Sequence, residues 1–217
     1  RYIDKNFPIT IPEKKNLIFF PMQQEPERTL LISAPCYADQ MKTIDLISKS
    51  IPENFLLVVK EHPTQGPGRG WRPISDYEQF RNNPRVFFIH PSVPASEIIK
   101  KSKLVISVSG TVSLEAAIFN TPSIIFVKNN FTLISSIQKF NSKDNLSLSI
   151  EKSLSYQVNP DEVGKYFDIL EENCFIFDQL NFQLNYLSYF YLNGNLADVK
   201  IDQLKMKNFL NKNEEIF

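Results

Sequence analysis

Five short apolar runs alternate with helix-like segments along the first part of the chain. That alternation restricts the fold more than any other feature. Asn16–Phe20, Phe55–Val59, Val86–Ile89, Leu104–Val108 and Ser123–Val127 are rich in strand formers, and the first three end in Pro21, Lys60-Glu61-His62-Pro63 and His90-Pro91. Between them, Asp39–Ser50 carries Met41, Ile44 and Ile47 at helical spacing, and Pro94 opens a segment that closes on Lys100, Lys101 and Lys103. Thr111–Phe119 is a further helix, with Asn120 and Pro122 as its stop signals. Continuous apolar strands alternating with helices specify a parallel sheet buried on both faces. The chain is therefore read as α/β, with a Rossmann-like, doubly wound parallel sheet over residues 16–130 and a lead-in of residues 1–15.

After residue 130 the strand signal fades. Asn159-Pro160-Asp161-Glu162 reads as a helix start, followed by Val163, Tyr166, Phe167 and Leu170 at helical spacing. Residues 176–192 are crowded with Phe, Tyr and Leu, and 202–212 is a shorter amphipathic stretch. Residues 131–217 are read as a helical extension packing on the sheet domain.

Composition narrows the functional classes. The 217 residues carry 24 Lys+Arg and 24 Asp+Glu, so there is no positive excess of the kind that nucleic-acid binding requires. No apolar stretch reaches the ~18 residues of a membrane span. Cys36 and Cys174 form neither a disulfide scaffold nor a zinc site, and no His, Cys or carboxylate recurs at metal-ligand spacing. The chain begins Arg-Tyr-Ile-Asp, without an initiator Met or a signal pattern, and reads as a piece of a longer protein.

The two histidines, His62 and His90, each precede a proline, and four of the six glycines lie between residues 66 and 110. In a doubly wound sheet, ligands bind at the carboxyl ends of the strands, where Lys60-Glu61-His62-Pro63, His90-Pro91 and Ser109-Gly110-Thr111 all fall. A strand-end His62 with Lys60 beside it can bind a phosphate oxygen, while Pro63 stiffens the turn. Equally, His62 could cap local backbone. Ser109-Gly110-Thr111 leads into a helix start, with hydroxyl donors and a glycine that permits close approach, and Glu115 lies one turn along, able to reach ribose hydroxyls. The alternative makes Thr111 a plain N-cap and Glu115 a first-turn carboxylate. Gln65–Arg72 holds three glycines and two arginines. It is read either as a phosphate-binding or mobile loop, with Arg72 the better candidate, or as a plain surface loop. His90 lacks a flanking lysine and is read as structural, its loop lying beside a nucleotide base. No Walker loop and no Gly-x-Ser-x-Gly elbow is present.

Taken together, Val-Val-Lys-Glu-His-Pro (58–63), Gly-Trp-Arg (70–72) with Tyr77 beyond it, Pro84-Arg85-Val86-Phe87 and the run from Ser107 to Ala117 resemble the capsule polysaccharide biosynthesis family. That family includes the bacterial Kdo transferases of capsule export. Gln23, Pro26-Glu27 and Asp39-Gln40 are similar to its upstream segment. The resemblance covers about residues 18–128 and implies the C-terminal, nucleotide-sugar-binding half of a GT-B enzyme. The His-Pro and Ser/Thr motifs are also similar to GT-B sialyltransferases and polysialyltransferases, which use CMP-sugars.

Carried over, His62 contacts the donor phosphate as the catalytic residue. Lys60, Pro63, Arg72 and the His90 loop belong to the donor site, Ser109, Gly110 and Thr111 cradle the phosphate, and Glu115 faces the ribose. The implied function is the donor-binding part of an inverting glycosyltransferase of surface polysaccharide, using a CMP-sugar or alternatively a UDP-sugar, with no further cofactor and no metal. A glycan or glycolipid acceptor and the general base would belong to an N-terminal domain outside this chain. The resemblance implies a cytoplasmic enzyme able to work at the inner face of the membrane. Two alternatives remain open: an enzyme like the UDP-N-acetylglucosamine 2-epimerases, whose Ser-Gly-x…Glu-Ala layout is similar, and a non-catalytic nucleotide- or partner-binding module.

Overall fold

Alternation within the first strand explains why the sheet is covered on both sides. Leu17 and Phe19 point into one core, with Leu56, Val58, Ile98, Ile99, Val105 and Ala116. Ile18 and Phe20 point into the other, with Ile44, Ile47, Leu57, Val59, Leu104 and Ile106. All four side chains are buried, and successive strand residues face opposite sides. The computed structural model describes residues 2–13, 15–141, 143–174, 178–192, 195–196 and 203–212.

In chain order, α1 (Tyr2–Asn6) precedes β1 (Asn16–Pro21), α2 (Gln40–Ser50), β2 (Phe55–Lys60), α3 (Gln65–Arg69) and α4 (Ile74–Glu78). There follow β3 (Val86–Ile89), α5 (Ala95–Lys101), β4 (Ser102–Ser107), α6 (Val112–Ile118), β5 (Ser123–Ile125), β6 (Ile137–Lys139) and α7 (Leu146–Leu154). The six strands are all parallel and lie in the order β3-β2-β1-β4-β5-β6, which is Rossmann-like and doubly wound. α2 and α7 supply one core, and α5 and α6 the other. Asp39 caps α2 by accepting from the Lys42 N–H at 3.1 Å.

The sheet does not end near residue 130, where the strand signal fades. β6 pairs with β5 (Ser123↔Ile137, Ile125↔Lys139), and Leu146 and Ile150 of α7 enter the core. The sequence hides β6 because Ile137-Gln138-Lys139 is a three-residue edge strand with one buried apolar side chain. The lead-in is also part of the body. Phe7 stacks on Phe88 at 5.2 Å and meets Tyr77 edge-on at 5.3 Å. The stretch 21–37 contains a π-helical turn, Thr29–Ser33, and a 3-10 turn, Pro35–Tyr37.

The chain divides into two compact units, residues 1–168 and 169–217, with α8 (Pro160–Asn173) crossing the boundary. In the second unit, α9 (Gln179–Phe190) and α10 (Gln203–Lys212) flank a short antiparallel pair, β7 (Tyr191–Leu192) and β8 (Asn195–Leu196). Phe209 is buried edge-on against Phe182 at 5.5 Å. Arg1, residues 176–177 of the aromatic stretch and residue 202 lie outside the described residues. No described helix is long and apolar enough to cross a membrane.

α6 ends as its stop signals predict. Asn120 takes the left-handed conformation (φ 62°), its N–H donates to Ala117 O, and the Thr121 N–H donates to Ala116 O at 2.8 Å. Asn120→Gly is expected to leave stability unchanged in urea unfolding. Asn120→Ala is expected to cost roughly 1 kcal/mol, the penalty of a Cβ there without a local side-chain hydrogen bond.

Candidate functional site at the carboxyl ends of the strands

The chain runs outward from β1 through β2 to β3, then crosses back to place β4 on β1's other side. This reversal opens a crevice at the carboxyl ends of β1 and β4. A cleft of about 370 Å³ lies there, with Phe19 and Val112 among its apolar walls. Gln23, Lys60, His62, Gly110, Thr111 and Glu115 form its polar side.

Three strand ends place these groups. After β2, the chain turns at Glu61, and the His62 ring folds onto its own loop. His62 Nδ1 accepts from the Thr64 backbone N–H at 3.3 Å and lies 2.8 Å from the Thr64 hydroxyl. A backbone N–H can only donate, so Nδ1 is the acceptor and neutral His62 carries its proton on Nε2. Lys60 is only 7% exposed and makes no ion pair within 4 Å among the described residues. Burial holds its ammonium below the usual lysine range, with the charge of Glu115 opposing the shift.

After β4, Val108–Thr111 turns into α6. Thr111 precedes the helix without a side-chain cap, so its hydroxyl does not take the N-cap role considered from sequence. Among the described residues the backbone N–H groups of Thr111 and Val112 have no acceptor. Gly110 has no positive φ. A Cβ added there would make only ordinary contacts, 3.4 Å to Val112 Cγ1 and 3.8 Å to the end of the Gln23 side chain. Neither backbone strain nor packing within the chain therefore demands glycine at this position.

Glu61, which also lines the cleft, anchors a charge network. Glu61 is fully buried. Its Oε1 accepts from the His62 N–H at 2.9 Å, and its Oε2 accepts from Arg72 Nε and the Tyr77 hydroxyl, both at 2.8 Å. Arg72 also pairs with Glu25 and donates to Gln23 O at 3.2 Å. Burial opposes the charge on Arg72, but Glu61 and Glu25 hold its pKa above the ordinary value. Burial, reinforced by Glu61, pushes the Tyr77 phenol well up. Two glutamines complete the frame. Gln40 Oε1 accepts from the Gln23 N–H at 2.7 Å, and its Nε2 donates to Gln23 O at 2.9 Å. Gln65 Oε1 accepts from the Glu25 N–H at 2.7 Å, and its Nε2 donates to Glu25 O and Gly70 O at 3.0 Å.

The structure thus brings Lys60, His62, Pro63, Gly110, Thr111 and Glu115 to one cleft. Two of the residues carried over by resemblance do not line it. The Arg72 side chain is 6% exposed and engaged by Glu61 and Glu25, and it holds the residues of the cleft wall without lining the cleft itself. His90 does not line the cleft: its Nδ1 lies 2.6 Å from Ser92 Oγ and its Nε2 3.2 Å from Asp4. Ser109 sits at the rear of the turn, its carbonyl accepting from Asn129 at 3.5 Å. Gln23, Gln40, Glu61, Gln65 and Tyr77 carry functions the sequence analysis did not assign. Gln23, Gln40, Glu61 and Tyr77 lie in the segments that carry the family resemblance, and the further signal was polarity beside buried elements: a buried amide or carboxylate must find partners.

Removing one partner from a buried ion pair leaves the other uncompensated. Arg72→Ala is expected to lower unfolding free energy by about 3–5 kcal/mol in urea titrations, and Arg72→Met with Glu61→Gln to recover part of that loss.

Residues 1–135 match the family model described as capsule polysaccharide biosynthesis protein. No curated protein matches the chain. Among solved structures, a UDP-GlcNAc 2-epimerase from Methanocaldococcus jannaschii is similar at 14% identity and a TM-score of 0.50, over 79% of this chain and 48% of its own. The KpsC beta Kdo 2,4 transferase of Thermosulfurimonas dismutans is similar at 12% identity and a TM-score of 0.47, over 73% of this chain and 52% of its own. This chain therefore spans about half the length of these two structures. The epimerase likeness supports the Rossmann-like fold and nothing further. The family match covers well over half of the chain and contains every cleft residue named above: the chain belongs to the capsule polysaccharide biosynthesis family.

Proposed function

We propose that this chain is the donor-binding part of an inverting GT-B glycosyltransferase of surface polysaccharide, using a CMP-sugar, with a UDP-sugar as the alternative donor. The observation that carries this reading is a set of unmatched donors at one place. The N–H groups of Thr111 and Val112, the Lys60 ammonium and the Nε2–H of His62 have no acceptor among the described residues, and their four residues line one cleft. Polar groups in a partly buried site need partners, and a phosphate supplies acceptors only.

In the proposed reaction the acceptor hydroxyl attacks the anomeric carbon of the donor. The carbon–oxygen bond to the phosphate breaks and its electron pair leaves on the phosphate oxygen. Lys60, the Thr111 and Val112 N–H groups and the His62 Nε2–H stabilise that charge as it develops. Glu115, which lines the same cleft, would accept from ribose hydroxyls. The base that takes the acceptor's proton, and the acceptor site itself, belong to another part of the enzyme, as does any contact with a membrane surface. A sugar-nucleotide epimerase would use the same cleft. Turnover of UDP-N-acetylglucosamine by the full-length enzyme, without transfer, would favour it.

Calorimetry is expected to show weak binding of at least one of CMP, CDP, UMP and UDP to this chain. Affinity for none of them would remove the basis of the proposal. In the full-length enzyme, His62→Ala should lower the transfer rate about a hundred- to a thousandfold, the cost of one preorganised donor to developing charge. An unchanged rate would assign the chain to a binding module.

Gly110→Ala separates ligand from scaffold. The variant should unfold within ~1 kcal/mol of the parent, because its methyl group meets only ordinary contacts. Its nucleotide affinity should fall roughly ten- to a hundredfold if phosphate packs against Gly110.

A further inference from the structure

Gln23 lines the cleft yet is only 9% exposed, and its backbone is pinned on both sides, by Gln40 at N–H and carbonyl and by Arg72 at the carbonyl. Its side-chain amide reaches the turn after β4. With the oxygen toward that turn, it accepts from the Ser109 N–H at 3.1 Å and the Gly110 N–H at 3.2 Å, while its nitrogen donates to Glu27 Oε2 at 2.9 Å. The opposite orientation would set an NH₂ group against two N–H donors, with a single 3.3 Å contact to Ser109 Oγ in return. Matching donors to acceptors fixes the first orientation.

This arrangement divides the turn's donors. Four consecutive backbone N–H groups, from Ser109 to Val112, lead into α6. Two are already taken by Gln23, and the next two have no acceptor among the described residues. We infer that Gln23 is a positioning residue. It braces the Ser109-Gly110 turn and confines an incoming phosphate to the Thr111 and Val112 N–H groups, beside Lys60 and His62. This inference rests on the nucleotide reading above for its ligand, but not for the brace itself.

A brace differs from a placeholder that phosphate must displace. A placeholder is held loosely and returns to solvent. Gln23 is almost buried, its backbone is held by two residues, and its amide nitrogen is engaged by Glu27. The two roles predict opposite effects of removing the amide. Without a brace, the turn loses its shape and phosphate binds less tightly. Without a placeholder, phosphate meets no competitor and binds more tightly.

The test uses Gln23→Met, which keeps length and volume while deleting the amide, and Gln23→Glu, which keeps an acceptor but adds charge. Amide hydrogen exchange by NMR needs no nucleotide. In the parent, Ser109 and Gly110 should exchange slowly and Thr111 and Val112 quickly. Gln23→Met should release the first pair while α6 stays protected. On titration with CMP or UMP, the Thr111 and Val112 amides should shift most, and Gln23→Met should bind about tenfold more weakly, the worth of one or two hydrogen bonds. Gln23→Glu should bind more weakly still at neutral pH, and its affinity should recover as pH falls and the introduced carboxylate is protonated. A purely structural role would leave that pH profile like the parent's. Unchanged exchange at Ser109 and Gly110 in Gln23→Met, or tighter nucleotide binding by it, would overturn the inference. Absence of nucleotide binding by the parent, with the exchange pattern as described, would sink the nucleotide reading and leave the brace standing.

Discussion

A carboxylate without solvent contact organises the working edge of this molecule. Glu61 stands at the end of β2, where the sheet's two cores have already excluded water. A charge in that position costs several kcal/mol unless it is paired and hydrogen-bonded. The chain meets this with Arg72, Tyr77 and the His62 N–H, and the second carboxylate of Glu25 completes the neutralisation of Arg72. Each partner comes from a different segment, so satisfying one charge fixes the β1 exit, the β2 turn and the 70–72 loop together. Apolar side chains in the same volume would bury as well, but they would not dictate one register. The His62 backbone is one of the tethered groups, so the ring's place at the cleft follows from the network behind it.

Much of the fold could be read from sequence because its signal is local. A run such as Phe-Leu-Leu-Val-Val closed by a polar turn fits only a strand buried on both faces, and five of the six strands carry such a run. β6 escapes because a three-residue edge strand has too few side chains to show a period. The site was legible where function and local chain direction coincide: Lys60, His62, Gly110 and Thr111 are strand-end residues, and the doubly wound rule brings strand ends together. Arg72 was misplaced for a physical reason. An arginine in a Gly/Pro loop reads as exposed, and only the tertiary structure reveals a buried Glu61 eleven positions away that claims it. Gln23 and Gln40 are harder still, since an amide's role depends entirely on which backbone groups lie opposite.

The overall charge balance of the chain conceals a local imbalance. With 24 residues of each sign, nothing in composition points to an anion site. Yet the carboxylates around the cleft are unequally used. Glu25 and Glu61 are engaged by Arg72 and its neighbours, while Glu27 and Glu115 line the cleft without an ion pair within 4 Å among the described residues. Lys60 is kept nearly buried, likewise without an ion pair within 4 Å among the described residues, at the cost of a depressed pKa. With Glu25 and Glu61 engaged by Arg72, only the more distant charge of Glu115 offsets the burial of Lys60, beside N–H groups that have no acceptor among the described residues. In the proposed reading, an anion arriving there would oppose the effect of burial on Lys60 and accept from the N–H groups of the helix start at once, so the same allocation of charge would serve the frame and the cleft.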